Sequence, residues 1–204
     1  MKKYNIILAS NSPRRRELLT GLDIPFEVRV LPSINEAHPD GLRGGDIPLF
    51  ISRRKADAYR DLLAEDELII TADTIVWLED QVLEKPHDEA EARRMLRNLS
   101  GKTHEVFTGV TLTTCERQKS FVAESKVRFT ELTDDEIDYY ISHYHPLDKA
   151  GAYGVQEWIG YIGVDYIEGS FFNVMGLPVH RLYKALKEFE DETTDSPSDE
   201  QSIG

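Results

Sequence analysis

The hydrophobic positions of this chain change period as it runs, and each change marks an element. "YNIILA" (4–9) is a short unbroken apolar run, the pattern of a strand buried on both faces, and it leads into a helix whose Leu18, Leu19 and Leu22 share one side. Ser12 can cap that helix and Pro13 can be its first residue, where a missing N–H costs nothing. "PFEVRVLP" predicts a second strand. "INEAHPDGLRGGD" (34–46) has no period and carries glycines, so it predicts a mobile loop. A helix follows over Pro48–Leu63 with Ile51, Ala56, Tyr59 and Leu63 turned inward, and then two strand-like runs, "ELIITADTIV" and "QVLE", separated by the acidic turn "LEDQ".

Two further helices are signalled by their caps. Asp88 with Glu91 three residues on opens "DEAEARRMLRNLSG", which Gly101 ends; Thr133 with Glu136 opens "TDDEIDYYISHYHP", which Pro146 stops. Between them "THEVFTGVTLTT" and "KSFVAESKVRFTEL" alternate as an antiparallel pair, and after a glycine-rich stretch "GLPVHRLYKALKEF" forms a last helix with Pro178 near its start. Strands and helices interleave around a central hairpin, which predicts an α/β fold with one mixed sheet flanked by helices. No repeat and no linker divides the body, so the expectation is a single domain over 1–190 and an acidic, disordered tail over 191–204.

Composition adjusts this picture in three ways. The chain has 204 residues, 40% of them hydrophobic, enough for one sizeable core. Its formal charge is −13; seven of the acids fall in 188–204, which contains no Lys or Arg, leaving −6 for the rest. An acidic body argues against sequence-independent nucleic-acid binding, so an anionic ligand needs a local basic cluster or a metal. The single cysteine, Cys115, rules out an internal disulfide or a cysteine-built zinc site and fits a reducing, cytoplasmic setting. "MKKYNIILAS" has an apolar run of about four residues against the 7–15 of a signal peptide, and no stretch approaches the ~18 of a membrane span.

Candidate chemistry begins with a conflict. Arg14, Arg15 and Arg16 crowd a helix N-terminus that already carries partial positive charge, where cations are disfavoured by roughly 0.3–1 kcal/mol each. An anion bound there would resolve it, because free backbone N–H groups, the dipole and arginine forks all favour phosphate; a solvated basic face is the plain alternative. No Walker loop occurs anywhere. Asp73 interrupts an apolar strand, and a buried carboxylate requires a metal, a cation or a set of donors unless it only bonds backbone at the strand end. Glu36 in the loop is a second carboxylate, and Lys55 and Lys85 stand where they can reach phosphates. His143 and His145 lack a third metal ligand and suit a helix C-terminus, Ser12 has no His–Asp context, and "GLRGG" is too weak a glycine pattern for a nucleotide site. Trp158 and Tyr161 are candidates either to stack a base or to pack in the core.

Eight stretches taken together, "LASNSPRRRELL", Glu36, "RRKADAY", "TADTIV", "EKP", "GKTHEVFTGV", "PLDKAGAYGVQ" and "IEGSFFNVMGLP", resemble the Maf family of nucleoside triphosphate pyrophosphatases in its dTTP/UTP branch, from about residue 6 to 180. The resemblance implies cleavage between the α and β phosphates with a divalent cation, Mg²⁺ or Mn²⁺. The fold it implies is elongated, like that of the inosine triphosphate pyrophosphatases, with a central cleft. It implies Asp73 as proton acceptor, Arg14, Thr74 and Gln156 as specificity determinants, Ser10, Arg14, Arg15, Lys55 and Lys85 on phosphate, and Glu36 and Asp73 on the metal. Glu84 in "EKP" and the turn "LEDQ" depart from the family pattern, both around Lys85. The implied partner is a small nucleoside triphosphate, with no nucleic-acid polymer or membrane, in a chain that forms a homodimer.

The 7-methylguanosine triphosphate branch reads "SPW", "SDQ" and "KSE" where this chain has "SPR", "ADT" and "GVQ". A cationic base favours a tryptophan face and a glutamate partner. Arg14 repels such a base, whereas the Gln156 amide matches the carbonyl and N–H of uracil or thymine. UTP, dTTP and modified pyrimidine nucleotides are therefore the expected substrates. A different reading, a regulatory nucleotide-binding protein restraining cell division, makes hydrolysis secondary.

Overall fold

Asn5–Leu8 (β1) becomes a strand buried on both faces, as its apolar run requires: Ile7 and Leu8 have no exposed surface. The computed structural model describes residues 4–32 and 34–191. Pro13–Thr20 (α1) follows, capped by the Ser12 side chain, then Phe26–Val28 (β2), Asp46–Asp57 (α2), Glu67–Leu78 (β3), Gln81–Leu83 (β4), Glu89–Leu99 (α3), Thr103–Thr113 (β5), Gln118–Phe129 (β6) and Asp134–Tyr144 (α4). Trp158–Gly163 (α5), Val164–Glu168 (β7), Phe171–Val174 (α6) and Val179–Asp191 (α7) complete it.

One mixed sheet of order β2-β1-β3-β5-β6-β7 carries these elements, with β4 also paired to β3. β1 is parallel to both β2 and β3, and the remaining pairs are antiparallel. β5 accompanies β3 from Ile69 to Trp77 on one edge. On the other edge β1 covers only Glu67–Ile70 and β4 only Val76–Leu78, so Thr71–Ile75 have no strand beside them. That break in the sheet positions the site.

Alternate residues of β3 feed separate cores. Leu68, Ile70 and Ala72 pack with Leu19 of α1 and Leu182, Leu186 and Phe189 of α7. Val76 and Leu78 pack with Leu96 of α3 and Ile137 and Ile141 of α4. Thr74 lies between the two. The opposite face is covered by α2, whose Ile51 meets Ile75 and whose Ser52 carbonyl accepts the Thr71 hydroxyl at 2.8 Å.

α2 lies so close to β5 that only glycine fits at 109: a Cβ there would stand 2.3 Å from the Pro48 carbonyl oxygen. Gly109 pairs across the sheet with Asp73, and α2 carries Lys55. Gly109→Ala therefore has to push the helix off the sheet. We expect a loss of about 1–3 kcal/mol, as for overpacked cores, seen as a melting-point fall of roughly 2–4 °C per kcal/mol, together with reduced turnover. A thermal melt showing no change would contradict this account of the contact.

The helix expected over Pro48–Leu63 starts at Asp46 and ends at Asp57, with a separate 3-10 turn at Arg60–Leu62. Proline is tolerated in a first turn, so Pro48 does not mark the start. The early end lets Tyr59 turn inward, where its hydroxyl donates to the Arg29 carbonyl at 3.2 Å and accepts the Leu31 N–H at 2.7 Å. That same attachment draws the chain away after Val28 and limits β2 to three residues. The Thr133–Glu136 capping box forms completely, whereas Glu91 bonds the His87 N–H instead of closing on Asp88. α5, β7 and α6 lie in stretches that carried no clear period. Asp191, the first residue of the tail expected over 191–204, belongs to α7, and 192–204 lie outside the described residues. Among the described residues no helix is long and apolar enough to cross a membrane.

Candidate active site

The break beside β3 opens into a cleft of about 620 Å³. The nine residues that the family resemblance assigns to the site, Ser10, Arg14, Arg15, Glu36, Lys55, Asp73, Thr74, Lys85 and Gln156, all line it. The lining also holds Asp148 and Lys149, giving five cations against three acids. An acidic protein thus presents a locally positive cleft, which suits a small anion.

Asp73 occupies the break itself, its side chain only 13% exposed. The cation that a buried carboxylate needs is Lys55, whose Nζ lies 2.8 Å from Asp73 Oδ1 and 3.0 Å from Glu36 Oε1. Glu36 reaches the cleft because its loop, which contains no helix or strand from 34 to 45, is tied to α2 through Arg54, whose guanidinium donates to the Ala37 carbonyl at 2.8 Å. Two carboxylates flanking one cation form a donor pair suited to Mg²⁺, which usually takes one or two carboxylates plus substrate phosphates. Among the described residues no group of three or more His, Cys, Asp or Glu side chains is placed to hold a metal by itself.

The three arginines have three different fates. Arg14 donates to Asp148 Oδ2 at 2.9 Å across the cleft. Arg15 turns under the helix and donates to the carbonyls of Gly176 (2.8 Å) and Ala72 (2.9 Å) and to the Thr74 hydroxyl (3.0 Å). Arg15 thereby satisfies the carbonyl that the missing strand beside β3 leaves without a partner, and two of its five N–H groups remain for a ligand. Burial lowers its pKa below the ordinary arginine value; the charges of Asp73 and Glu36 oppose that fall and Arg14 adds to it. Arg16 is exposed and does not line the cleft.

Thr74, already bonded by Arg15, also lies 3.0 Å from the Thr108 hydroxyl. Ser10 accepts the Ser12 N–H at 3.2 Å, shaping the turn into α1. Lys85 is exposed and takes part in no ion pair among the described residues, so its charge is uncommitted. Gln156 has a buried Oε1 without a partner. Trp158 instead packs on Tyr139 at 4.7 Å between ring centres, and Tyr161 is 84% exposed; neither lines the cleft. His143 bonds the Tyr139 carbonyl and His145 caps α4 in a left-handed conformation, so both serve a helix end.

Asp148 and Lys149 lie in "PLDKAGAYGVQ", where the signal in the sequence is an adjacent acid–base pair entering a glycine-rich stretch. Burial raises the Asp148 carboxyl, but hydrogen bonds from Lys149 and Arg14 outweigh it and leave its pKa below the ordinary 3.8.

Below the cleft, buried His104 lies 2.7 Å from the hydroxyl of Tyr153, a cleft residue. Burial pushes its imidazole down to about 4. An unfolded histidine titrates near 6.5, so as pH falls the unfolded chain takes the proton first. The folded state is favoured fully above about 6.5 and loses up to about 1.4 kcal/mol per pH unit from there toward 4. Denaturant midpoints at a series of pH values should show this slope, and His104→Gln should reduce it; an unchanged slope would exclude His104 as the cause.

The chain as a whole is similar to known proteins. A family model described as "Maf-like protein" matches residues 5–189. A protein of Phocaeicola vulgatus named dTTP/UTP pyrophosphatase is 63% identical over 187 residues, covering 92% of this chain and 97% of that one. Proteins of the same name from Bacteroides thetaiotaomicron and Christiangramia forsetii are 60% and 47% identical, each over 92% of this chain and 97% and 95% of their own. Among solved structures, a HAM1 protein from Coxiella burnetii is 16% identical, with a TM-score of 0.48 over 91% of this chain and 99% of that one.

Proposed function

This chain belongs to the Maf-like protein family, and from that premise we propose that it hydrolyses UTP and dTTP to the nucleoside monophosphate and pyrophosphate. The observation that carries the reading is Asp73, a carboxylate set in the break of the sheet, paired with Lys55 and facing a cleft with an excess of cations. Cleavage of a phosphoanhydride needs charge neutralisation and an oriented water more than covalent chemistry. Asp73 accepts the proton of that water. Lys55, between them, holds Asp73 close to Glu36, while Arg14, Lys85 and the free N–H groups of Arg15 hold the triphosphate.

Glu36 and Asp73 are the residues that would hold Mg²⁺ or Mn²⁺, which when bound neutralises phosphate charge. At the other end Gln156 offers an unpaired amide oxygen that accepts the N–H of uracil or thymine, while its NH₂ donates to the adjacent carbonyl. Thr74 and Arg14 complete the selection.

The test is incubation of the pure protein with UTP, dTTP, the purine triphosphates and 7-methylguanosine triphosphate, with Mg²⁺, with Mn²⁺ and with chelator, the products being identified. Pyrophosphate and UMP or dTMP, formed only with metal, are expected. Binding without turnover would instead favour the regulatory reading.

A further inference from the structure

We propose that Lys149 is a positioning residue that couples the two ends of the pyrimidine-selecting apparatus, joining the Gln156 turn to Arg14 as one unit. The inference rests on the reading of this cleft given above and extends it to a residue outside the base contacts.

Gln156 sits in a tight turn closed by the Glu157 N–H on the Gly154 carbonyl at 2.9 Å. Both ends of that turn meet on a single atom. The Gly154 N–H donates to the Tyr140 hydroxyl at 3.0 Å, and that hydroxyl donates to Glu157 Oε2. Tyr140 itself has no exposed surface, and its ring is packed in the core. The Glu157 carboxylate folds so closely over Gly154 that an added Cβ would lie 2.8 Å from its Cδ.

Lys149 connects this turn to the far bank. Its side chain is 9% exposed, and its Nζ lies 3.1 Å from Glu157 Oε1 and 2.7 Å from Asp148 Oδ1. The other oxygen of Asp148 accepts from Arg14 at 2.9 Å. Arg14, Asp148, Lys149 and Glu157 thus form an alternating, charge-balanced row that runs from the first helix to the Gln156 turn. A lysine serving phosphate would leave its ammonium open, as Lys85 does. Lys149 instead spends two of its three donors on carboxylates and is nearly enclosed, so it transmits position and does not bind the triphosphate. Displacing Arg14 pulls on Asp148, and through Lys149 on the turn that aims Gln156.

The experiment is a mutant cycle read as kcat/KM and, by calorimetry, as Kd, for UTP and for ATP. In the wild-type background Arg14→Ala and Gln156→Ala should be non-additive, because they act through one unit. In Lys149→Met they should become additive, with the preference for UTP over ATP falling about tenfold, kcat staying within about threefold, and Lys149→Arg restoring most of the preference. Additivity in both backgrounds, an unchanged preference, or a loss confined to kcat would overturn the proposal. If Lys149→Met fails to fold by circular dichroism, Tyr140→Phe decides: it keeps the ring and removes the hydroxyl that fixes the turn, so an unchanged preference there overturns the proposal. Wild-type protein that binds UTP without hydrolysing it defeats the hydrolase reading alone, and the Kd cycle still decides the coupling. No binding of UTP at all overturns both.

Discussion

Asp73→Asn should retain the fold and lose UTP and dTTP turnover by about 10²–10⁴-fold, the usual effect of removing a general base. The substitution is nearly isosteric. Lys55 Nζ, 2.8 Å from the carboxylate, can donate to the amide oxygen instead, so the strand, α2 and the neighbouring Gly109 contact need not move. The basic groups that hold the triphosphate are untouched. The loss should therefore appear in kcat, with Kd for UTP in the absence of metal little changed, and circular dichroism and melting should match the wild type. Near-normal turnover in a correctly folded variant would remove Asp73 from the mechanism.

Arg14→Ala should lower kcat/KM for UTP and dTTP by roughly ten- to a hundredfold, whereas Arg16→Ala should cost little. A hydrogen bond to a charged group contributes about 1.5–3 kcal/mol, and each tenfold in kcat/KM is about 1.4 kcal/mol. Arg14 is 24% exposed and meets Asp148 through one contact, which leaves four N–H groups for substrate. Its loss also leaves Asp148 facing an anionic ligand. Arg16 is exposed and away from the cleft. Equal losses at the two positions would reduce the run to a basic surface. The Arg15–Thr74 bond constrains specificity redesign as well. Arg14→Trp removes one contact to Asp148 and Gln156→Glu alters an unpaired amide, but Thr74→Gln displaces a hydroxyl held by Arg15 and Thr108, so a triple exchange toward 7-methylguanosine triphosphate should lose stability at position 74.

Much of this was readable along the chain because it is local. The Ser12 cap, the Thr133–Glu136 box and the alternation of β5 and β6 depend on residues within a few positions of one another. β7 was not readable: its five residues, between the glycine-bearing α5 and Gly169, become a strand only by pairing with the end of β6. The candidate cleft residues were found by type and by family pattern, and the structure brings them together. Their division of labour was not legible. The fork of Arg15 reaches carbonyls 57 and 161 residues away, and Lys149 acquires its meaning from Glu157 and, beyond it, Tyr140, on a separate helix. Nothing in a run of three arginines says which one will turn inward; that depends on the carbonyl left open where β1 stops short.

The same open edge has a kinetic consequence. The cleft at that break is spanned by Arg15 reaching Gly176 and by Arg14 reaching Asp148, contacts separated by 161 and 134 residues. Contacts of that sequence separation form late, since the intervening chain must first lose its freedom. The hairpin of β5 and β6 and the capped helices, being local, have no such requirement. During refolding from denaturant, helical and strand signals should therefore return before nucleotide binding does. During synthesis on the ribosome, the cleft cannot exist until the segment around Gly176 has emerged.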